Sequence, residues 1–544
     1  HRFDGEIIVG GQEHFYLESQ AAIAYPEEQA RITVLSSTQH PSEVQAVVAE
    51  ILGLPYHLVT VQCRRMGGGF GGKETQAAQP AAMAALVAWH TGRPARIVLG
   101  RDDDMAITGK RHPFLARYRV GYSRAGAITA LDLDLFANGG CSTDLSPSVL
   151  ERAMLHVDNA YFLPAVRIVG RVCRTNLPSN TAFRGFGGPQ GVACIENILE
   201  EIAHRTGRDA YDVRQLNCYG PQPRDRTPYG QVVYNNVLPE LMAQLRSTSQ
   251  YDQRRSEIDL FNSRANIELR GLAMTAVKFG ISFTKRTLNQ ANALVHIYTD
   301  GSVLVSTGAT EMGQGVHTRI RQLVADDLGI PWERVAIGVT STDKNHNTSP
   351  TAASCGTDLN GAAALDATFR LRARLAQLAA RQLAEVDQGL TPSAEDLVFA
   401  DGWVADVRAP HRRIAFDDVV LQAYQERISL GERGFYATPG VDFDRETGQG
   451  TPFLYYTNGA AVAEVIIDRV TGELRVPRVD LLMDIGMPIN PGIDRGQIPG
   501  GFIQGLGWVT SEELMYDAEG SLLSHSPTTY KIPNVSDVPL DFRV

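Results

Sequence analysis

The sequence contains no Cys-x-x-Cys pair: its six cysteines (Cys63, Cys141, Cys173, Cys194, Cys218 and Cys355) are scattered. That disfavours zinc or iron–sulfur ligation inside the chain and fits a reducing, cytoplasmic setting with buried free thiols. No run of about 18 apolar residues occurs, so an ordinary membrane-spanning helix is not expected. Nor does a positively charged leader precede an apolar core; the first residue is His1, so no signal peptide is expected and the chain reads as a piece of something longer. Long basic runs are missing, and 51 Lys and Arg against 61 Asp and Glu leave a net charge of −10, which argues against a nucleic-acid surface.

What is present is an ordinary globular composition, 43% hydrophobic and 21% charged over 544 residues. That is length enough for roughly two to four domains.

Residues 32–62 read as strand, loop, helix, turn and strand. Val44, Val47, Val48, Ile51 and Leu52 form the helical stripe, Ser42 is a candidate cap and Gly53 the stop. Residues 303–340 repeat the order, with Ile320, Leu323, Val324 and Leu328 as the stripe and Gly329 as the stop. Leu52-Gly53-Leu54-Pro55-Tyr56 matches Leu328-Gly329-Ile330-Pro331-Trp332 at an offset of 276 residues, which points to a duplication. Each unit is followed by a loop and an alanine-rich helix, as a ligand held between two related halves requires. A Pro-, Gly- and Asn-rich stretch at 219–235 and a polar helical stretch at 236–264 put the boundary near residue 250. Hairpins at 116–136 and 460–482 alternate at period two, so the class is mixed α/β.

From Gly67 the sequence reads G-x-x-x-x-G-K, the pattern of a phosphate-cradling loop, but Glu74 stands where Ser or Thr should hold magnesium. Glu74 would also repel the phosphate that Lys73 is meant to neutralise. Five glycines around Phe70 nonetheless cost backbone entropy that a plain turn does not require. Arg184 and Phe186 lie together on another glycine-rich loop, where an aromatic beside a cation suits a planar ligand.

In order along the chain, "GGQEHFYLE", "RRMGGGFGGKE", "SNTAFRGFGGPQG", "KFGISFT", "TEMGQG", "NTSPTAAS", "TSEELMY" and "PTTYKIP" resemble the molybdenum-cofactor portion of the xanthine dehydrogenase and aldehyde oxidase family. The resemblance runs from residue 10 to 533. It implies two related mixed α/β domains, taken as 1–250 and 251–544, with molybdenum–molybdopterin in the cleft between them. It further implies hydroxylation of hypoxanthine and xanthine to urate, iron–sulfur clusters and FAD on a partner domain or subunit, and a dimer of catalytic units. The loop at Phe70 would then crowd a metal-pterin, and Lys73 need not touch phosphate.

Carried over by motif, Gln39 resembles the side chain that hydrogen-bonds a molybdenum oxo group, with Phe70 and Gly71 beside the metal. Arg184, Gln314, Ala353 and Gln504 match cofactor-lining positions; of these, Arg184 and Ala353 lie near the metal with Gln39 and Phe70. Phe186 resembles the ring that stacks on a purine face and Phe283 the ring that meets its edge, with Thr284 and Ala352 beside them. Glu74 and Arg152 resemble the catalytic polar pair that grips the purine and separates purine hydroxylases from aldehyde oxidases. The resemblance also implies a domain before "GGQEHFYLE" and, after "LDFRV", a "GEPP" motif whose Glu is the general base. Because the sequence stops at Val544, these 544 residues alone are expected to be catalytically inactive. The rival readings are a hydroxylase of aldehydes or another N-heterocycle, and a non-catalytic scaffold.

Overall fold

The protein is described from a computed structural model covering residues 1–264, 267–386 and 392–544. The first repeat unit consists of β1 (Arg31–Ser36), α1 (Pro41–Leu52) and β2 (Val59–Cys63), the two strands parallel from Ile32 opposite Val59 to Leu35 opposite Gln62, followed by α2 (Ala78–Thr91). Two helices that later frame the site follow, α3 (Ser146–Met154) and α4 (Gly188–Thr206), and the long strand β3 (Glu268–Ile281) opens the second half. The repeat then recurs as β4 (Val303–Thr307), α5 (Val316–Leu328) and a parallel β5 (Val335–Ile337), succeeded by β6 (Thr340–Ser341) and α6 (Gly356–Val386). Gly53 and Gly329 both stop their helices in the left-handed region, at φ 66° and 64°. The duplication is thus visible down to its caps.

The stripe of α1 is turned by a fraction of a turn from the one periodicity predicts. Val44, Gln45, Val48 and Ala49 are buried, whereas Ile51 is exposed. Gln45 draws the helix round because its amide donates to Val59 O (2.7 Å) and Tyr56 O (3.0 Å), bonds that a buried amide has to make. Ser42 does not cap α1: it lies within the first turn, and its hydroxyl accepts from the Thr348 N–H at 2.9 Å, a residue of the second half.

The halves are stitched rather than merely packed. β6 pairs antiparallel with β2, completing a five-stranded sheet of the first half with a strand from the second. The buried face of α4, including Ile195, Ile198, Leu199 and Ile202, shares one core with Met274 and Ala276 of β3 and with Val462 of β7 (Tyr455–Asp468), which pairs antiparallel with β3. Each such fully buried aliphatic side chain contributes about 1.5–3 kcal/mol. Residue 250 is the joint between helices Leu238–Thr248 and Tyr251–Arg264, with Gln250 at φ 58°. The hairpins expected at 116–136 and 460–482 are present. Finally α7 (Pro491–Val509) lies along the junction. Among the described residues no helix is long and apolar enough to cross a membrane.

Candidate functional site

Where the two units face each other, their loops enclose a cleft of about 1520 Å³. The Gly67–Gly72 loop forms one wall. Gly71 sits at φ +102°, and a Cβ there would lie 2.6 Å from Ala182 O, so only glycine lets this loop touch the Arg184 loop, where the Arg184 N–H donates to Phe70 O at 2.8 Å. Lys73 turns away from the cleft. Its ammonium donates to Glu18 O (2.7 Å) and Ser37 Oγ (2.8 Å), lies 4.6 Å over the Tyr16 ring, and is pushed down to about 8 by burial. A cation held by these partners cannot neutralise a bound phosphate, so the phosphate-loop reading of this motif fails on geometry.

Gln39, in the turn between β1 and α1, ties the walls together. Its Oε1 accepts the Gly71 N–H at 2.9 Å, its Nε2 donates to Thr351 O at 3.2 Å, and its own carbonyl accepts the Thr351 N–H. One Nε2 hydrogen remains for the cleft. Ala352 and Ala353 follow Thr351 on the opposite wall, together with Gln314 from the loop before α5. The Gln314 side chain is folded onto its own loop: Oε1 accepts from Met312 N–H (2.7 Å) and Nε2 donates to Thr310 O (3.0 Å). Glu311 accepts the N–H groups of Gly313, Gly315 and His317, so an internal carboxylate already fills the N-terminus of α5. From α7, Gln504 Oε1 accepts from Arg184 at 3.4 Å and Gln497 O accepts from it at 3.2 Å. Phe70 and Gln314 therefore face one cavity.

The backbone here is strained. Phe70, Phe186 and Ala353 have φ of 54°, 50° and 55°, and Phe15 and Ser354, also on the wall, 47° and 57°. Non-glycine residues in this region cost of order 1–3 kcal/mol each and persist where surrounding structure enforces them, typically at ligand clamps. Gly496 and Gly500 of α7 and Gly313 present bare backbone to the cleft, with nothing within 4 Å of where a Cβ would stand. This is a cradle that side chains would fill. The N-terminal end of α6 also opens onto it through Gly356 and Thr357, placing helix-terminal N–H groups where an anionic group can be met, whereas the first N–H groups of α4 are taken by the carbonyls of Gly185 and Gly187. Motif reading missed Ser354, Gly356 and Thr357; the small-residue run before a helix start at "AASCGTD" is the signal that could have found them.

Glu74 and Arg152 line the same cleft without forming an ion pair with each other among the described residues. Burial first, then the nearby Asp144 and Glu43, raises the Glu74 carboxyl to about 8, so at neutral pH it is a hydrogen-bond donor. Arg152, on α3, donates to Gly280 O (3.0 Å) and to Ser282 O, with its guanidinium 5.3 Å from the Phe279 ring and 5.2 Å from that of Phe453. Burial lowers it to about 10, so it stays cationic. Phe186 stands at the head of α4 on the wall. Phe283 and Thr284 are not brought to the wall: Phe283 packs in the core of the second half, its backbone held by Asn289, and Phe279 and Ile281 of β3 line the cleft instead. An unbroken strand would set Phe283 on the same side as Phe279 and Ile281, but β3 ends at Ile281 and Ser282, at φ 151°, turns the chain, so the alternation stops before Phe283.

Among the described residues no three His, Cys, Asp or Glu side chains converge, so a metal in this cleft has to arrive with ligands of its own.

Comparison with known proteins gives the following. The family described as Molybdopterin cofactor-binding domain matches residues 1–218 and, in a second domain type, 244–539. The chain is 44% identical to a xanthine dehydrogenase of Dictyostelium discoideum, over all of this chain and 38% of that protein. It is 46% identical to a xanthine dehydrogenase/oxidase of Mus musculus, over 99% of this chain and again 38% of the relative. Among solved structures, quinoline 2-oxidoreductase from Pseudomonas putida 86 superposes with a TM-score of 0.87 at 26% identity, covering 100% of this chain and 69% of that one. An aldehyde oxidoreductase from Desulfovibrio gigas superposes at 0.83 with 22% identity, covering 100% and 55%, which speaks to fold alone.

Proposed function

Because the chain belongs to the molybdopterin cofactor-binding domain family, we propose that it forms the molybdenum-cofactor portion of an oxidoreductase of the xanthine dehydrogenase type, hydroxylating hypoxanthine and xanthine to urate. The chain spans 38% of the length of these curated relatives, so the activity belongs to the larger protein. Iron–sulfur clusters and FAD on the remaining domains or subunits would carry electrons away. A dimer of catalytic units, a cytoplasmic location and a division into 1–250 and 251–544 complete the proposal.

The cleft fits the cofactor: it is large, glycine-lined, strained and edged by the N-terminus of α6, and among the described residues no cluster of side chains competes to ligate the metal. Gln39, Phe70, Gly71, Arg184, Gln314, Ala353 and Gln504 would hold it, with Gln39, Phe70, Arg184 and Ala353 nearest the metal. When bound, the molybdenum centre supplies the oxidising power for hydroxylation. The chain's own residues do the rest. Phe186 offers a flat face to the heterocycle, with Ala352 beside it. Phe283 and Thr284 follow directly after β3 and the Ser282 carbonyl that Arg152 meets, and back that end of the site from behind the wall. Protonated Glu74 donates to a ring nitrogen or exocyclic oxygen. Arg152 meets the negative charge that grows on the ring as its carbon is attacked.

The observation that carries the proposal is this pair, an uncharged carboxyl and a charged guanidinium, both buried on the wall that holds Phe186. In the full-length protein, Glu74→Ala and Arg152→Ala should each lower xanthine turnover by about 10²–10³-fold, the usual effect of removing a buried transition-state contact, while sparing a simple aldehyde. Unchanged purine rates in both variants would defeat the substrate assignment and favour an aldehyde or another N-heterocycle.

A further inference from the structure

Among the described residues Arg152 has no carboxylate partner to aim it: the groups it donates to are backbone carbonyls at the end of β3 and just beyond it, Gly280 O and Ser282 O. The aim of the guanidinium is therefore set by the conformation of one short stretch of main chain. A second side chain holds that same stretch. His156, four residues beyond Arg152 in the turn after α3, is 1% exposed, and its Nε2 accepts the Gly280 N–H at 3.1 Å. Its Nδ1 faces Arg152 O at 2.8 Å. A carbonyl can only accept and a peptide N–H can only donate, so the two partners fix the ring as neutral, with the proton on Nδ1. A second ring proton would confront the Gly280 N–H, and the ring already lies near the Arg152 and Lys278 cations.

Gly280 is thus gripped from both sides, its N–H by His156 and its C=O by Arg152. The imidazole cannot drift, because it is packed 4.6 Å from the Phe279 ring and 5.1 Å from Phe453, the same two rings that flank the guanidinium. A Cβ at Gly280 would lie 2.2 Å from the Phe453 ring, so the strand end is pressed against this aromatic wall. Behind it, Lys278 is paired with Asp158 at 3.1 Å, and Tyr219 donates to the same carboxylate, anchoring the preceding turn of the strand. His156 does not itself line the cleft and reaches it only through Arg152 and Phe279.

We propose that His156 is a positioning residue that sets the reach of Arg152 into the cleft and, through it, the preference for purines over substrates that Arg152 does not grip. This rests on the function proposed above. The test uses the full-length holoenzyme and three variants: His156→Phe keeps the ring volume and removes both polar contacts, His156→Gln retains an acceptor for the Gly280 N–H, and His156→Asn retains only the donor side. Losing the grip on Gly280 should lower kcat/KM for xanthine about 10²-fold in the Phe and Asn variants, as expected for a misplaced contact, leave a simple aldehyde within about threefold, and be largely restored by Gln. A loss equal for both substrates, or equal in Asn and Gln, would overturn the proposal, as would unchanged xanthine kinetics in His156→Phe. If the Phe variant fails to fold, the Asn and Gln pair decides the question. Arg152→Ala run alongside separates the two levels: if it leaves the xanthine-to-aldehyde ratio untouched, the parent reading has failed; if it shifts that ratio while the His156 variants do not, the positioning role alone has failed.

Discussion

Replacing Glu74 with glutamine should stabilise the protein, and increasingly so as pH rises. The carboxyl is buried and takes no hydrogen bond from the described residues; burial and the neighbouring Asp144 and Glu43 lift it from 4.5 to about 8. In the unfolded chain it ionises near pH 4.5, whereas in the folded protein it keeps its proton up to about pH 8. The native state then binds more protons than the unfolded one, so wild-type stability falls with rising pH through that window and levels off above it. Glutamine has the same shape and no titration. At about 1.4 kcal/mol per pH unit, the gap between Glu74→Gln and wild type should be near zero at pH 4.5, about 3 kcal/mol at pH 7 and on the order of 5 kcal/mol above pH 8. Urea unfolding of the cofactor-free protein at pH 5 and pH 8.5, with equal m-values as the condition for comparison, measures this. A gap that stays constant across that range, or closes as pH rises, would refute a neutral Glu74 and remove the hydrogen-bond donor from the substrate side of the cleft.

Two further outcomes follow from the glycine-rich wall. Gly71→Ala should destabilise by about 2–4 kcal/mol, because the new Cβ meets Ala182 O in a left-handed residue and the neighbouring Arg184-to-Phe70 contact must shift; an unchanged urea midpoint would contradict the close approach. Lys73→Met should cost about 1–3 kcal/mol through the orphaned Glu18 carbonyl and Ser37 hydroxyl. A variant as stable as wild type that had lost binding of inorganic phosphate would restore the phosphate-loop reading.

The repeat was legible because a βαβ unit writes its period into apolar spacing and its stop into one glycine, and both copies did so. The face of α1 was misread at Ile51 because Gln45, a polar residue, is buried by carbonyls that spacing cannot reveal. Ser42 has the chemistry of a cap, yet its partner Thr348 is some three hundred residues away. The cleft itself is assembled from turns distant in sequence, so residue spacing could name glycine-rich loops but not pair Gln39 with Thr351 or Arg184 with Gln504; the family resemblance supplied those candidates, and all but Phe283 and Thr284 reach the wall. The left-handed backbone at Phe70, Phe186 and Ala353 is imposed by neighbouring chain and leaves no mark in residue type.

β6 belongs to one half by sequence and to the other by hydrogen bonding, and the Met66 N–H donates to Glu311 O across the same seam. Such a joint has no hinge. Whatever occupies the cleft meets two walls that cannot swing apart without breaking the pairing of Thr340 with Cys63 and of Ser341 with Gln62.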